Sequence, residues 1–278
     1  MTPRTVLITG CSTGIGRACA ERLARAGHTV YATARRLESI EDLQGAGCRT
    51  LALDVTDEAS MQAAVETVEA ERGAVGALVN NAGYSQSGAI ETLSMEDLRR
   101  QFETNVFGLV RMCQLVLPGM RREGFGRIVN MSSMGGNFVF PGGGAYHASK
   151  YAIEAISDAL RFEVKGFGVG VTVIQPGAIR TEFASTVADR LPKGEGPYAA
   201  FNAEVGRTTK EAYEKGPLAR LGGEPDAVAK AVEKAITARR APIRTRVTAS
   251  AHVLVTQRRL LPDRGWDAFV ATQFKRPG

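Results

Sequence analysis

Residues 5–16, TVLITGCSTGIG, decide how this chain folds. The apolar run Val6-Leu7-Ile8 enters a turn carrying Gly10, Gly14 and Gly16, and a helix-period stretch follows over residues 17–26. A missing Cβ at Gly10 permits the tight turn, while Gly14 and Gly16 let a phosphate and the sheet approach the helix backbone. With Ser12, Thr13 and Ile15 completing the turn, the unpaired N–H groups and positive dipole end of the helix face outward, ready for a pyrophosphate. The spacing is G-x-x-x-G-x-G rather than the commoner G-x-G-x-x-G, but the physical logic is shared.

Outward from this turn, short buried runs alternate with longer amphipathic ones. Val30-Tyr31-Ala32, Leu51-Ala52-Leu53, Leu78-Val79, Ile128-Val129 and Val171-Thr172-Val173-Ile174 read as strands, and residues 58–72, 95–117 and 148–165 as helices. Such alternation predicts an α/β, doubly wound parallel sheet of about seven strands with helices on both faces, its ligands beyond the carboxyl ends of the strands. The whole of 1–278 reads as a single Rossmann-type domain. Residues 1–180 form the cofactor and catalytic core, and 182–223 an irregular, partly helical substrate lid rich in Pro and Gly, including Pro192, Gly194 and Gly206. Residues 224–278 supply a helix, a final strand at PIRTRV (242–247) and a basic tail. There Trp266, Phe269, Val270 and Phe274 recur at helical spacing, which predicts a terminal helix packed on the domain. The competing reading is a membrane-surface anchor with Arg258, Arg259 and Lys275 as basic partners.

Of 278 residues, 44% are hydrophobic and 23% charged, which excludes a disordered chain. The net charge of +6 suits an anionic cofactor as well as a nucleic acid, and no basic stripe with aromatic partners favours the latter, so no nucleic-acid partner is expected. No uncharged run approaches the ~20 residues of a membrane span, and the start leaves no room for a signal peptide. Cys11, Cys19, Cys48 and Cys113 lack metal-ligand spacing and read as reduced thiols in a cytoplasmic protein. His28, His147 and His252 also lack it, so no metal is expected.

An acidic residue after the second strand would bind ribose hydroxyls and repel a 2′-phosphate. Ala34-Arg35-Arg36 stands there instead, and guanidiniums pair with phosphate bidentately, which points to NADP(H) over the alternative NAD(H). Ser12 could add a donor. Further on, Tyr146 and Lys150 share one helix face at i, i+4. An ammonium one turn away, together with the positive charge of an oxidised nicotinamide, favours the phenolate and lowers the tyrosine pKa, making the pair a candidate general acid/base.

In these motifs the sequence resembles the short-chain dehydrogenase/reductase family, in a single-domain NADP(H)-preferring branch. TGCSTGIG (9–16), NNAG (80–83), Asn105, Ser133 thirteen residues before Tyr146, YHASK (146–150) and Pro176-Gly177 match in order and spacing over residues 4–180. The resemblance implies that Tyr146 exchanges the proton with the substrate oxygen, that Ser133 hydrogen-bonds that oxygen, and that Lys150 holds the nicotinamide ribose. It implies that Asn105 holds a water leading from the lysine to solvent. Asp54 with Val55 would contact adenine, Asn81, Ala82 and Gly83 would line the cofactor, and Thr181 would meet the carboxamide beyond Pro176, Gly177 and Ile179. Ser132 is the alternative hydroxyl, and Asn80 reads as a sheet brace. PIRTRV and the basic tail replace the valine-aspartate-glycine-glycine strand of many relatives, an ending similar to retinol- and 17β-hydroxysteroid-dehydrogenase-like members.

The expected activity is hydride transfer between NADP(H) and a small hydrophobic carbonyl or alcohol, steroid-, retinoid- or polyketide-like, by a homodimer or homotetramer. Phe183, Leu191, Tyr198, Phe201 and Tyr213 give the lid its apolar character, and Pro141-Gly142-Gly143-Gly144 is expected to shape the substrate mouth. Two rivals use the same fold: an epimerase or dehydratase, and a cofactor-sensing or nucleic-acid-binding regulator whose mark would be a broken catalytic set.

Overall fold

The computed structural model describes residues 4–192 and 195–274; Gly194 and Lys275, named above, lie outside them. Seven strands form one parallel sheet: β1 (Thr5–Ile8), β2 (Thr29–Ala34), β3 (Arg49–Ala52), β4 (Ala77–Asn80), β5 (Gly126–Met131), β6 (Val169–Pro176) and β7 (Arg244–Val247). Their order is β3-β2-β1-β4-β5-β6-β7, so the winding reverses between β1 and β4. A reversal leaves a crevice at the carboxyl ends of those two strands, where no crossover covers them.

Helices cover both faces, as parallel strands require. Against one face lie α1 (Gly14–Arg25) and α9 (Pro225–Thr237), closing a core that includes Val6, Ile8, Leu23, Val228 and Val232. Against the other lie α2 (Glu58–Arg72), α4 (Gly108–Arg122) and α5 (Gly144–Glu163), over Leu7, Leu78, Met112, Ile128 and Ile153. The alternate side chains of β1 thus feed two cores.

One expectation needs correction. The helix expected over 95–117 is interrupted: α3 (Met95–Phe102) passes through a π-helical turn, Glu103–Phe107, into α4. Such turns are often found at functional sites, and this one carries Asn105. Residues 182–223 are less irregular than their Pro and Gly content suggested, containing α6 (Phe183–Asp189), α7 (Ala199–Glu214) and α8 (Pro217–Arg220). The base of this segment is tied by a parallel bridge between Ile179 and Gly223. The glycines before Tyr146 are closely packed: a Cβ on Gly142 would meet Val205 of α7 at 2.7 Å, and one on Gly143 would meet His147 at the same distance.

The terminal helices α10 (Ala249–Leu260) and α11 (Asp263–Ala271) complete the chain. The Trp266 stripe packs on the domain, as the first of its two readings holds. Trp266 stacks on Phe140 at 6.0 Å between centroids, lies 5.3 Å from Phe138, and is 5% exposed; Phe274 reaches Phe140 as well.

Candidate active site

The crevice is a cleft of about 680 Å³, within the range of cofactor sites. Gly10, Ser12, Thr13, Gly14 and Ile15 form one wall. Gly10 and Gly14 have φ of +73° and +59°, and a Cβ at Gly10 would stand 2.9 Å from the Cα of Ala82. Gly16 does something else. It does not line the cleft, and its Cβ would fall 2.2 Å from the carbonyl of Gly10, so its role is helix-to-turn packing. Asn81 pins the turn from β4, its Nδ2 donating to the carbonyls of Thr9 and Gly10 at 3.0 and 2.8 Å. The first turn of α1 has neither a capping side chain nor an acidic residue, leaving its N–H groups to an anion.

Leu53, Asp54, Val55 and Ala34 frame one end, with Ala82 and Gly83 opposite the glycine turn. Asp54 Oδ1 accepts from the backbone and hydroxyl of Thr56, which orients the carboxylate. The paired arginines, both exposed, separate: Arg35 lines the cleft, and Arg36 is not among the described lining residues. Glycine turn, uncapped helix and acidic frame fit a nicotinamide dinucleotide.

At the other end β5, α5 and the segment after β6 bring Ser133, Tyr146, Lys150, Pro176, Gly177, Ile179 and Thr181 to one surface. Tyr146 lies in the first turns of α5, and its phenol faces the same cleft as Ser133, which acts to lower its pKa. Ser133 Oγ in turn accepts from the Gly135 N–H at 3.1 Å. Lys150 Nζ donates to the carbonyl of Met131 at 2.8 Å and stands 5.6 Å from the Tyr146 ring centroid. Ser132, the alternative hydroxyl, lines the cleft too, but it is Ser133 that meets the phenol.

In the cofactor-free protein, burial acts strongly on both Tyr146 and Lys150. Burial pushes the Tyr146 phenol up to about 12, with Ser133 opposing, and brings the Lys150 ammonium down to about 8, with Glu154 opposing. In the protein alone, desolvation therefore outweighs the expected help from lysine to phenolate.

Asn105 does not line the cleft among the described residues. Its Nδ2 donates to the Tyr84 carbonyl and to Ser149 Oγ, and its Oδ1 accepts from the Tyr84 N–H, so the side chain joins the π-helical turn to the loop after β4 and to α5. Asn80 braces the sheet through Asn130 at 3.0 Å. His147 is buried between the Phe140 N–H and the Gly135 carbonyl, and Cys11 is a buried filler whose thiol burial pushes up to about 12.

Residues that the motifs did not single out also line the cleft, among them Tyr84, Arg100, Thr104, Met131, Thr186 and Arg190. They arrive from the loop after β4, α3, the π-helical turn, the end of β5, and α6 with the residue that follows it, and they carry no local signature. Of the apolar residues in 182–223, Phe183 and Tyr213 reach the site, Phe183 lying 5.4 Å from the Tyr146 ring; Tyr198 and Phe201 pair with each other away from it.

A doubly wound sheet with a glycine turn and a Ser-Tyr-Lys cluster at its switch point defines a Rossmann-type oxidoreductase. The short chain dehydrogenase family model matches residues 4–191. Over 267 residues the chain is 36% identical to 3-ketodihydrosphingosine reductase of Bacteroides thetaiotaomicron, covering 95% of each protein. It is 33% identical over 252 residues to human retinol dehydrogenase 8, covering 87% of this chain and 80% of that one. Among solved structures, a short-chain dehydrogenase from Streptomyces avermitilis superposes with a TM-score of 0.80 at 36% identity, covering 98% of this chain and 95% of that one. The chain belongs to the short-chain dehydrogenase family, whose members bind NAD(H) or NADP(H). Among the described residues no helix is long and apolar enough to cross a membrane.

Proposed function

We propose that this protein is an NADP(H)-dependent oxidoreductase interconverting a hydrophobic ketone or aldehyde and its alcohol. The observation that carries the reading is the meeting of Ser133, Tyr146 and Lys150 in the cleft that also holds the glycine turn. NADP(H) is favoured by Arg35 at the cleft wall and by the absence of an acid at the end of β2. The apolar substrate is supported by Phe183 and Tyr213 beside Tyr146, and by similarity to a 3-ketodihydrosphingosine reductase and a retinol dehydrogenase.

When bound, the nicotinamide supplies or accepts the hydride. The chain does the rest. Gly10, Gly14 and the first turn of α1 hold the pyrophosphate, Arg35 the 2′-phosphate, and Asp54 the adenine. Ser133 donates a hydrogen bond to the substrate carbonyl oxygen, where charge develops during reduction. Tyr146 gives its phenolic proton to that oxygen, and Lys150 stabilises the resulting phenolate while holding the ribose hydroxyls. Phe183 and Tyr213 exclude water above the reacting carbon. Four buried free cysteines support a reducing, cytoplasmic setting, and the exposed Phe107 on the π-helical turn with Tyr151 and Phe162 on α5 support pairing of copies. The reading extends to one domain over 1–278, with 182–223 selecting the substrate.

The test is NADPH consumption over a series of increasingly lipophilic ketones, retinoids and steroids, with Tyr146→Phe as control. Turnover should rise with lipophilicity and fall by about 10²–10⁴-fold in the variant, while NADPH fluorescence still reports binding. A Phe variant with unchanged turnover refutes the assignment of the acid.

A further inference from the structure

One turn beyond Lys150, α5 carries a second charged layer that the mechanism above leaves unused. Glu154 is 9% exposed, unusual for a carboxylate unless it is paired. Two strands hold it. Its Oε1 accepts from Gln175 Nε2 of β6 at 2.9 Å, and its Oε2 accepts from Arg244 Nε of β7 at 2.8 Å. Arg244 also reaches Asp158 Oδ2 at 2.5 Å, while Arg161 takes the other Asp158 oxygen. Arg246, farther along β7, interacts electrostatically with Glu154 and with Arg259 of α10. The turn that presents Ser133 rests on this layer: a Cβ on Gly136 would lie 3.0 Å from Glu154 Cγ and 2.8 Å from Ser132 Oγ.

Lys150 is the one buried lysine among the described residues, and its hydrogen bond goes to a neutral carbonyl. An ammonium in that setting tends to shed its proton, and a fixed carboxylate one helical turn away opposes this. The carboxylate must itself stay ionised and in place. Arg244 secures both, because a guanidinium does not deprotonate and holds carboxylates directionally. We propose that Glu154, clamped by Arg244 and Gln175, is a positioning residue whose carboxylate keeps Lys150 an ammonium and directs it towards Tyr146. The unusual last strand, PIRTRV, is thereby joined to the site, since it supplies the clamp. The proposal rests on the role given to Lys150 above.

The readout is a pH titration of cofactor-free protein carrying ¹³Cε-labelled lysine, with the Lys150 signal assigned by its loss in Lys150→Arg. In Glu154→Gln, which keeps the side-chain shape, the Lys150 midpoint should fall by about one pH unit or more, and Glu154→Asp should restore most of the fall. An unmoved midpoint overturns the proposal. If Glu154→Gln does not fold, the double variant with Arg244→Gln removes the stranded guanidinium. Read against Arg244→Gln alone, it should show the same fall, and equal midpoints in the two again overturn the proposal. The basic limb of kcat/KM for ketone reduction should move the same way. A shifted midpoint in a protein that reduces no carbonyl compound would support the Glu154–Lys150 coupling while refuting the oxidoreductase reading.

Discussion

Lys150 Nζ donates its 2.8 Å hydrogen bond to Met131, the last residue of β5 and two positions before Ser133. The ammonium is thus tied to the same strand end that presents the serine, and it is removed from water to be there.

Burial of that ammonium should be visible in stability. The folded protein releases the Lys150 proton near pH 8, whereas an unfolded lysine keeps it to about 10.4. Between these values the unfolded chain binds more protons, so stability rises with pH, recovering up to about 3 kcal/mol. Urea unfolding at pH 7 and 9.5 should show this gain in the parent and not in Lys150→Met. Above pH 10 the sign reverses for Tyr146, whose phenol keeps its proton to about 12 when folded.

The two arginines after β2 should separate in binding. Arg35→Ala is expected to weaken NADPH by about tenfold or more with little change for NADH, because Arg35 lines the cleft. Arg36→Ala should change both cofactors only slightly. Fluorescence titration with each nucleotide decides it, and a larger loss at Arg36 would reverse the assignment.

Gly16→Ala inserts a methyl 2.2 Å from the Gly10 carbonyl and 2.4 Å from Asn81 Nδ2. Neither group can retreat without opening the turn, so a loss of about 1–3 kcal/mol together with weakened cofactor binding is expected. Gly27, with nothing within 4 Å of an added Cβ but a φ of +85°, offers a control in which strain acts without collision and cofactor binding is spared.

Trp266→Ala should cost about 3–5 kcal/mol by emptying the aromatic cluster with Phe138 and Phe140. His147 receives a hydrogen bond from the Phe140 N–H, so the same change should disturb the start of α5 and raise KM. Unchanged melting, with lost affinity for anionic vesicles, would instead restore the membrane-anchor reading of this helix.

Much of the architecture was legible because its signals are local. The strands announce themselves as short β-branched runs, and all seven occur, although β6 runs two residues beyond each end of its apolar stretch. The glycine turn was readable because only glycine tolerates the φ of positions 10 and 14. Less legible were the π-helical turn at Asn105, whose sequence is continuous with a helix, and the folding of 182–223, where α7 runs straight through Gly206 despite the low helix propensity of glycine. The Gly16 and Arg36 assignments were incomplete for one reason: a motif specifies which residues are near a ligand but not which way each side chain leaves the backbone.

By itself, the order of residues determined a parallel doubly wound sheet, the phosphate-binding turn and the Tyr146–Lys150 pair on one helix face, because periodicity, backbone permissiveness and i, i+4 spacing act over a few residues. Tertiary structure alone decided that Arg35 and not Arg36 faces the cleft, that desolvation dominates at Tyr146 and Lys150, and that Glu154 meets Arg244 ninety residues later. Dielectric surroundings and long-range charge pairing are properties of the packed core, and no segment of chain carries them before it is buried.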